Sequence, residues 1–524
     1  MLLLDAQNVK LYIKDRLLFD LERLQIHSGA RIGLVGKNGS GKTSLLEVLT
    51  GQRTCDSGTI HTYGICELLP QLKKKDSTKS GGEITQEYIV DALTRNPELL
   101  LADEPTTHLD TAHIEWLEKK LGNWQGALLI VSHDREFLDA LCTTIWELQD
   151  GRIKEYIGNY SDYVRQKELE TKSHEAAYEK YEKKKKQLEE ALILKEKKAA
   201  RATKSPKKVS PSEARITGAK PYFAKKQKKL QKTVKAIETR IEKLEKVEKI
   251  RDTPALQMDL PNEETFKGKI VLRAEKIEGH VGQRTLWSKV SFLVRGGDKL
   301  AIIGPNGSGK TTLLKKIIHQ TEGITLSPAM KFGYFSQTID QLDTSKSILE
   351  NVQETSKQTE TFIRIVLARL HFFREDVYKK VGVLSGGERV KVALAKLFVS
   401  DINTLILDEP TNFLDIEAVE ALESLLLEYS GTILFVSHDR RFISNIATRI
   451  LIIEDERIHL FEGTYNEYKN YTPAIERNSA EDEKLLIETK ISEVLSRLSI
   501  EPTEELEKEF QQLLKKKRAL ENRS

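Results

Sequence analysis

The chain has 524 residues, 31% of them charged, a net charge of only +4 and three cysteines. Cys55, Cys66 and Cys142 lie far apart with no metal-ligand spacing, which excludes a disulfide framework or an iron–sulfur site and predicts a reducing, cytoplasmic setting. No stretch approaches the ~18 consecutive apolar residues of a membrane span, the N-terminus has no leader pattern, and the length predicts roughly three or four domains.

In chain order, the first half alternates short apolar strands such as Ala127–Val131 with helical patterns, the signature of a parallel α/β sheet. It carries Gly36-Lys-Asn38-Gly39-Ser40-Gly41-Lys42-Thr43-Ser44 after one strand, Ser80-Gly81-Gly82-Glu83 further on, Asp103-Glu104-Pro-Thr at the end of another strand, and Ser132-His133-Asp-Arg at a third. From about Tyr160 to Ala202 no Gly or Pro interrupts a run of Glu, Lys, Ala and Leu, which predicts a helix ~60 Å long at 1.5 Å per residue. Turn residues follow at Ser205-Pro206, Ser210-Pro211, Gly218 and Pro221. The apolar spacing then resumes at Leu230, Val234, Ile237, Ile241 and Leu244, the seam of an antiparallel helical hairpin.

This insertion holds the charge asymmetry. Lys195 to Arg240 contains 16 Lys and Arg against Glu196, Glu213 and Glu238, a net +13 that leaves −9 for the remainder. One basic segment on an acidic body predicts a polyanionic partner engaged locally.

The second half repeats the first. Gly304-Pro-Asn306-Gly307-Ser308-Gly309-Lys310-Thr311-Thr312, Ser385-Gly386-Gly387-Glu388, Asp408-Glu409-Pro-Thr and Ser437-His438-Asp-Arg recur in the same order. Ser80 to Asp103 and Ser385 to Asp408 both span 23 residues, and Asp103 to His133 and Asp408 to His438 both span 30. Only Gln71 to Ser80, 9 residues against 48 from Gln337 to Ser385, breaks the register, so the first copy lacks most of a small helical lobe. The predicted domains are 1–159, the linker 160–262 with its tip near 205–223, 263–471, and a C-terminal helical hairpin over 472–524.

Each G-x-x-x-x-G-K-T loop, between strand and helix, lets backbone amides turn around phosphates, with Lys42 and Lys310 neutralising their charge. The hydroxyls of Thr43 and Thr311 and the carboxylates of Asp103 and Asp408 suit Mg²⁺, and Glu104 and Glu409 can orient or deprotonate an attacking water. Gln71 and Gln337 lie 29 and 27 residues after the loop lysines, where they can sense metal or water; His133 and His438 can hold a γ-phosphate. The two Ser-Gly-Gly segments supply a second anion cradle.

With these motifs the chain resembles a tandem ATP-binding cassette (ABC) protein: two α/β P-loop ATPase domains joined by a long α-helical hairpin. The resemblance implies head-to-tail pairing of the cassettes. One ATP site would set Lys42, Asp103, Glu104 and His133 against Ser385 and Gly387, and the other would set Lys310, Asp408, Glu409 and His438 against Ser80 and Gly82. Tyr12, 24 residues before Gly36, falls where the family places an aromatic under adenine, or is a core tyrosine; its second-half counterpart lies near His280.

Tandem cassettes with a basic linker and no membrane span resemble the ABC-F family, whose members act on ribosomes. A narrower similarity is to its Vga-type antibiotic-resistance proteins. It rests on Lys79-Ser-Gly-Gly-Glu83 close behind Pro70-Gln71, on Asn412-Phe413-Leu414-Asp415, on Gly218-Ala-Lys-Pro-Tyr-Phe-Ala224, and on Leu495-Ser-Arg-Leu-Ser-Ile-Glu-Pro502. It implies that the ATP-bound, monomeric protein docks in the tRNA exit site of the 70S ribosome. There the linker would approach large-subunit rRNA and P-site tRNA, with Tyr222 and Phe223 able to stack on bases, and would promote drug release. A housekeeping ABC-F translation factor is the near alternative. A transporter ATPase subunit predicts a short, uncharged linker, and a coiled-coil DNA-organising ATPase would split one cassette rather than separate two.

Overall fold

The computed structural model describes residues 1–71, 81–107, 109–202, 219–244, 246, 267–336 and 342–471, and in the tail 491, 494, 507, 510, 511 and 513–516. The chain divides into two compact units, Met1–Glu462 and Gly463–Ser524.

Within the larger unit the same construction appears twice. Four of the central strands, Leu99–Asp103, Ala127–Val131, Thr404–Asp408 and Thr432–Val436, are each made of five buried residues. A strand buried along its whole length needs cover on both faces, and parallel pairing with helical crossovers supplies it. The first sheet runs Cys66–Leu69, Leu99–Asp103, Ala127–Val131, Arg31–Val35, Thr144–Gln149, Arg152–Ile157, parallel except at its last pair. The second runs Phe332–Phe335, Thr404–Asp408, Thr432–Val436, Lys299–Ile303, Arg449–Glu454, Arg457–Phe461 with the same directions.

Each cassette also has a three-stranded antiparallel sheet, centred on Leu2–Ile13 in the first and Ile270–Val281 in the second. Long bulged strands blur the period-two pattern, so sequence alone does not separate this sheet from the parallel one. It packs one core against the central sheet. Leu4, Phe19, Ile26, Leu46, Leu101 and Leu129 are among its members in the first cassette, and Leu272, Trp287, Ile302, Leu314 and Leu434 in the second.

The linker leaves the first cassette as a 43-residue helix, Tyr160–Ala202, and returns as Ala219–Glu242, the two helices packing along each other. The return helix starts inside the range expected for the tip. Pro221 sits in its first turn, where a missing N–H costs no intrahelical bond. The intervening residues 203–218 lie outside the described residues.

The smaller unit opens with Tyr465–Asn470, capped by Thr464, whose hydroxyl accepts from Glu467 N (3.4 Å) while the Glu467 carboxylate accepts from Thr464 N (2.7 Å). Its described tail residues are helical; the turn expected at Ser499–Thr503 lies outside them.

Candidate functional site

Each phosphate loop joins a central strand to a helix, Lys42–Leu49 or Lys310–Ile318. The geometry demands glycine. Gly41 and Gly309 cap these helices at φ 106° and 100°, and a Cβ there would meet Leu18 at 2.6 Å and the Trp287 ring at 2.4 Å. At Gly36 and Gly304 it would strike the Leu148 and Ile453 carbonyl oxygens at 2.6 and 2.3 Å. Gly39 and Gly307 also take positive φ, 75° and 77°.

Lys42 Nζ donates to the Gly36 and Lys37 carbonyls (2.6 and 3.2 Å), and Lys310 Nζ to those of Gly304 and Pro305 (2.8 and 3.0 Å). Burial pulls both lysines below their ordinary pKa, with Glu104 and Glu409 opposing that shift. Beside the second loop the Thr311 hydroxyl donates to Asp408 Oδ1 (3.2 Å) and Tyr334 OH to Oδ2 (3.4 Å). Burial raises the Asp103 and Asp408 carboxyls, while hydrogen bonds from Thr43 and Thr311 work the other way.

Glu104 and Glu409 follow at the strand ends with φ 50° and 52°, left-handed conformations unusual for a side chain of this size. Their Oε1 atoms lie 3.3 and 3.2 Å from the Nε2 of His133 and His438. Burial pushes the two carboxyls up to about 8 and about 7, and burial, with Lys42 close by, drives His133 down to about 3, so its imidazole is neutral. Buried oxygens without a hydrogen bond remain on both glutamates and on Ser40 and Ser308. Acceptors and hydroxyls of this kind, gathered at phosphate loops, fit a nucleotide, a cation and a water that would satisfy them.

The two loops face opposite cassettes. Asn38 N donates to Asp415 Oδ2 (3.0 Å), and Asn38 Nδ2 to the Phe413 carbonyl (2.9 Å). Gly387 lies so close that a Cβ would come within 2.7 Å of that carbonyl and 3.2 Å of Asn38 Nδ2. Ser385 caps the Gly386–Phe398 helix reciprocally with Glu388, so the signature segment Ser385-Gly386-Gly387 stands at the first loop. At the second loop, Asn306 N donates to Asp110 Oδ2 (2.9 Å). A cavity of about 760 Å³ runs between the cassettes there, lined by Lys310, Thr312, Glu409 and His438 and by Thr107 and Leu109 of the first cassette.

Of the remaining sequence candidates, Thr43, Ser44, Thr311 and Thr312 follow the loops, and Gly81 and Gly82 open the Gly81–Thr94 helix. Gln71 is exposed at a strand end; Ser80 and Gln337 lie outside the described residues. Tyr12 keeps 44% exposure, and its N–H donates to Asp56 (2.6 Å). In the second cassette the corresponding edge of the cavity is formed by Val281, Arg284 and Leu286.

Two pairs carry no assignment from sequence. Asp110 and Asp415, each seven residues after the strand-end Asp, cap the helices Thr111–Gly122 and Ile416–Glu428 and reach the opposite loop. Arg135 and Arg440, beside the histidines, cross the interface. Arg135, its side chain 2% exposed, pairs with Glu423, and Arg440, 4% exposed, pairs with Glu118 and with Glu136 (3.0 Å). Their signal lies in the register of the repeat: Glu118 and Glu423 both stand 15 residues after the strand-end Asp.

Comparison with known proteins agrees with this architecture. A family model described as ABC transporter matches residues 20–66 and 287–412, and a second with the same description, an extension of that family, matches 146–258. The chain is 33% identical over 559 residues to the ribosome protection protein VmlR of Bacillus subtilis (strain 168), covering 98% of each. It is 34% identical to the erythromycin resistance ATP-binding protein MsrA of Staphylococcus epidermidis (84% of this chain, 95% of the relative) and 31% identical to ATP-binding protein Uup of Haemophilus influenzae (87% and 79%). The archaeal ribosome recycling factor aABCE1, solved with the stalk protein aP1, shares the fold at a TM-score of 0.58 and 17% identity over 88% of this chain and 92% of that one. Among the described residues no helix is long and apolar enough to cross a membrane. With two cassettes built around paired phosphate loops, and with full-length similarity of this extent, the chain belongs to the ABC-F family and is an ATPase.

Proposed function

We propose that this protein is a ribosome-protection ATPase that lowers the effect of antibiotics bound to the large ribosomal subunit. ATP binds between Lys42 and the Ser385–Gly387 segment, and between Lys310 and the Ser80–Gly82 segment, and holds the cassettes closed. Thr43, Asp103 and Gln71 would hold Mg²⁺ in one site, and Thr311, Asp408 and Gln337 in the other, where the cation would neutralise phosphate charge. Glu104 and Glu409 orient the attacking water, with His133 and His438 beside the γ-phosphate, and hydrolysis reopens the clamp.

The observation that carries this reading is the mutual embrace of the loops: each phosphate loop bonds to an aspartate of the other cassette, Asn38 to Asp415 and Asn306 to Asp110. A nucleotide bound in such a seam joins both halves, so binding is closure.

The basic linker, 160–262 in the domain division proposed from sequence, is the output arm. The closed monomer docks in the tRNA exit site of the cytoplasmic 70S ribosome, and the linker's lysines neutralise rRNA and P-site tRNA phosphates. Supporting this are the net +13 of Lys195–Arg240 and the similarity to proteins named for ribosome protection and erythromycin resistance. Lincosamides, streptogramins A and pleuromutilins are the drugs implied by the Vga-type resemblance. A housekeeping translation role is the second reading, favoured by the similarity to Uup.

The test is Glu104→Gln combined with Glu409→Gln, which should trap the ATP-bound form on ribosomes. Free sedimentation of that protein with ATP present would remove the ribosomal reading. A susceptibility panel in a host expressing the unmodified chain separates the two roles: no rise for any large-subunit drug would leave the housekeeping one.

A further inference from the structure

The first turn of the long linker helix lies in the seam between the cassettes, with Tyr160 buried and the next three residues half-buried. Tyr160, its first residue, is 2% exposed and shares a core cluster with Phe137 and Leu138 of the first cassette and with Ile416 of the second. The adjoining Ser161 is tied to the first cassette, its N–H donating to Asp139 Oδ1 (2.6 Å). Further along, Tyr163 OH donates to Glu147 Oε1 (3.0 Å), and Lys154 Nζ to Glu170 Oε1 (2.7 Å). The linker root is thus fixed to the first cassette on one side.

On its other side it meets the second. Tyr160 OH donates to Glu420 Oε1 (3.3 Å), and the Arg441 guanidinium stands 5.8 Å from the centre of the Tyr160 ring. Glu420 lies on the helix Ile416–Glu428, whose capping residue, Asp415, accepts the bond from Asn38 in the first phosphate loop. Glu423, on the same helix, holds Arg135, and Arg135 Nη1 also lies 3.9 Å from Glu420 Oε1. Asp415 to Glu420 is five residues, about 8 Å of rigid helix. One element of the second cassette therefore touches both the nucleotide loop of the first and the root of the linker.

We propose that Tyr160 and Glu420 are the coupling joint through which closure of the Lys42 site sets the direction of the linker. This rests on the ATP-clamp reading and deepens it. When the cassettes part, the Glu420 and Arg441 side of the Tyr160 socket leaves with the second cassette, and the root keeps only its anchors to the first. When they close, the hydroxyl–carboxylate bond fixes the first turn from both sides. Leverage makes this consequential: over 43 residues, about 64 Å, a tilt of roughly 5° at the root displaces the far end by about 6 Å. Tyr160 and Glu420 act as positioning residues.

The experiment measures two distances in the full-length chain by spin labels, with Cys55 and Cys66 replaced by Ser and Cys142 left buried. The pair Gln52→Cys and Glu322→Cys reports closure, and the pair Lys197→Cys and Glu322→Cys reports the linker; all three positions are exposed. In the parent chain ATP should shift both pairs. In Tyr160→Phe, which keeps the ring and removes the hydroxyl, and in Glu420→Gln, the closure shift and ATP hydrolysis should persist while the ordered linker population falls about tenfold, the scale of one hydrogen bond to a charged group. The double variant should be no worse than either single one. Full linker shifts in both variants would overturn the joint and leave the clamp standing. Loss of closure and linker shifts together would also overturn it, because the contact would then hold the cassettes rather than transmit. No closure shift in the parent would bring down the clamp reading itself.

Discussion

Arg440→Gln is expected to weaken ATP-driven closure by roughly 30- to 140-fold. Arg440 projects from the second cassette with its side chain 4% exposed and pairs with Glu118, donating from Nη1 at 3.2 Å; its Nε lies 3.0 Å from Glu136 and its Nη2 3.9 Å from Asp134. Removing one partner from a buried pair costs about 3–5 kcal/mol, because the remaining charge stays desolvated and unpaired. Glu118 and Glu136 keep 17% and 37% exposure, so solvent screens part of this and about 2–3 kcal/mol is the appropriate figure. At about 1.4 kcal/mol per tenfold, that gives the stated range. The assay is the ATP concentration that half-closes the chain, read from labels at Gln52→Cys and Glu322→Cys, together with steady-state hydrolysis. Adding Glu118→Gln should recover part of the loss, since one of the stranded acids is then neutral. An unchanged half-closure concentration in Arg440→Gln would refute the argument that the buried pair stabilises the closed form.

Two further outcomes follow from the same seam. Gly387→Ala should weaken closure at the Lys42 site, because its Cβ would sit 3.2 Å from Asn38 Nδ2 of the opposite cassette and 2.7 Å from the Phe413 carbonyl of its own, whereas Gly386→Ala, with nothing within 4 Å, should close normally; equal behaviour of the two in the label assay would contradict the packing. Asp134, raised by burial from 3.8 to about 7 despite Arg440 nearby, makes the stability of the folded chain pH-dependent. An acid whose pKa is higher when buried takes up a proton on folding, so its favourable contribution is full below its ordinary pKa and is lost as pH rises to about 7. Resistance to denaturant should therefore rise as pH falls from about 7.5 to about 6, and Asp134→Asn, which can still cap the Arg135–Leu141 helix, should flatten that slope; an unaltered slope would exclude Asp134 as its source.

Much of the molecule follows from local rules. Glycines at turns no side chain can enter, five-residue apolar strands and the uninterrupted run from Tyr160 to Ala202 all write their structure in short windows, and the repeat doubles each signal. The return helix is harder to read: Pro221 has the look of a breaker, yet in a first turn it breaks nothing. The antiparallel sheets leave no such mark, because bulged, two-sided strands carry no clean alternation.

The sequence by itself determined the two cassettes, the chemistry of their loops and the polarity of the linker, since these depend on residue type and spacing within one element. Only the tertiary structure decided which residues meet across the seam. Asp110, Asp415, Arg135 and Arg440 carry no assignment from sequence, and Tyr160 reads only as the start of a helix. Each acquires its role from a distant partner, as Asn38 does from Asp415 across 377 positions and Tyr160 from Glu420 across 260. Contacts at such separations are fixed by how two folded bodies pack, and no local pattern encodes them.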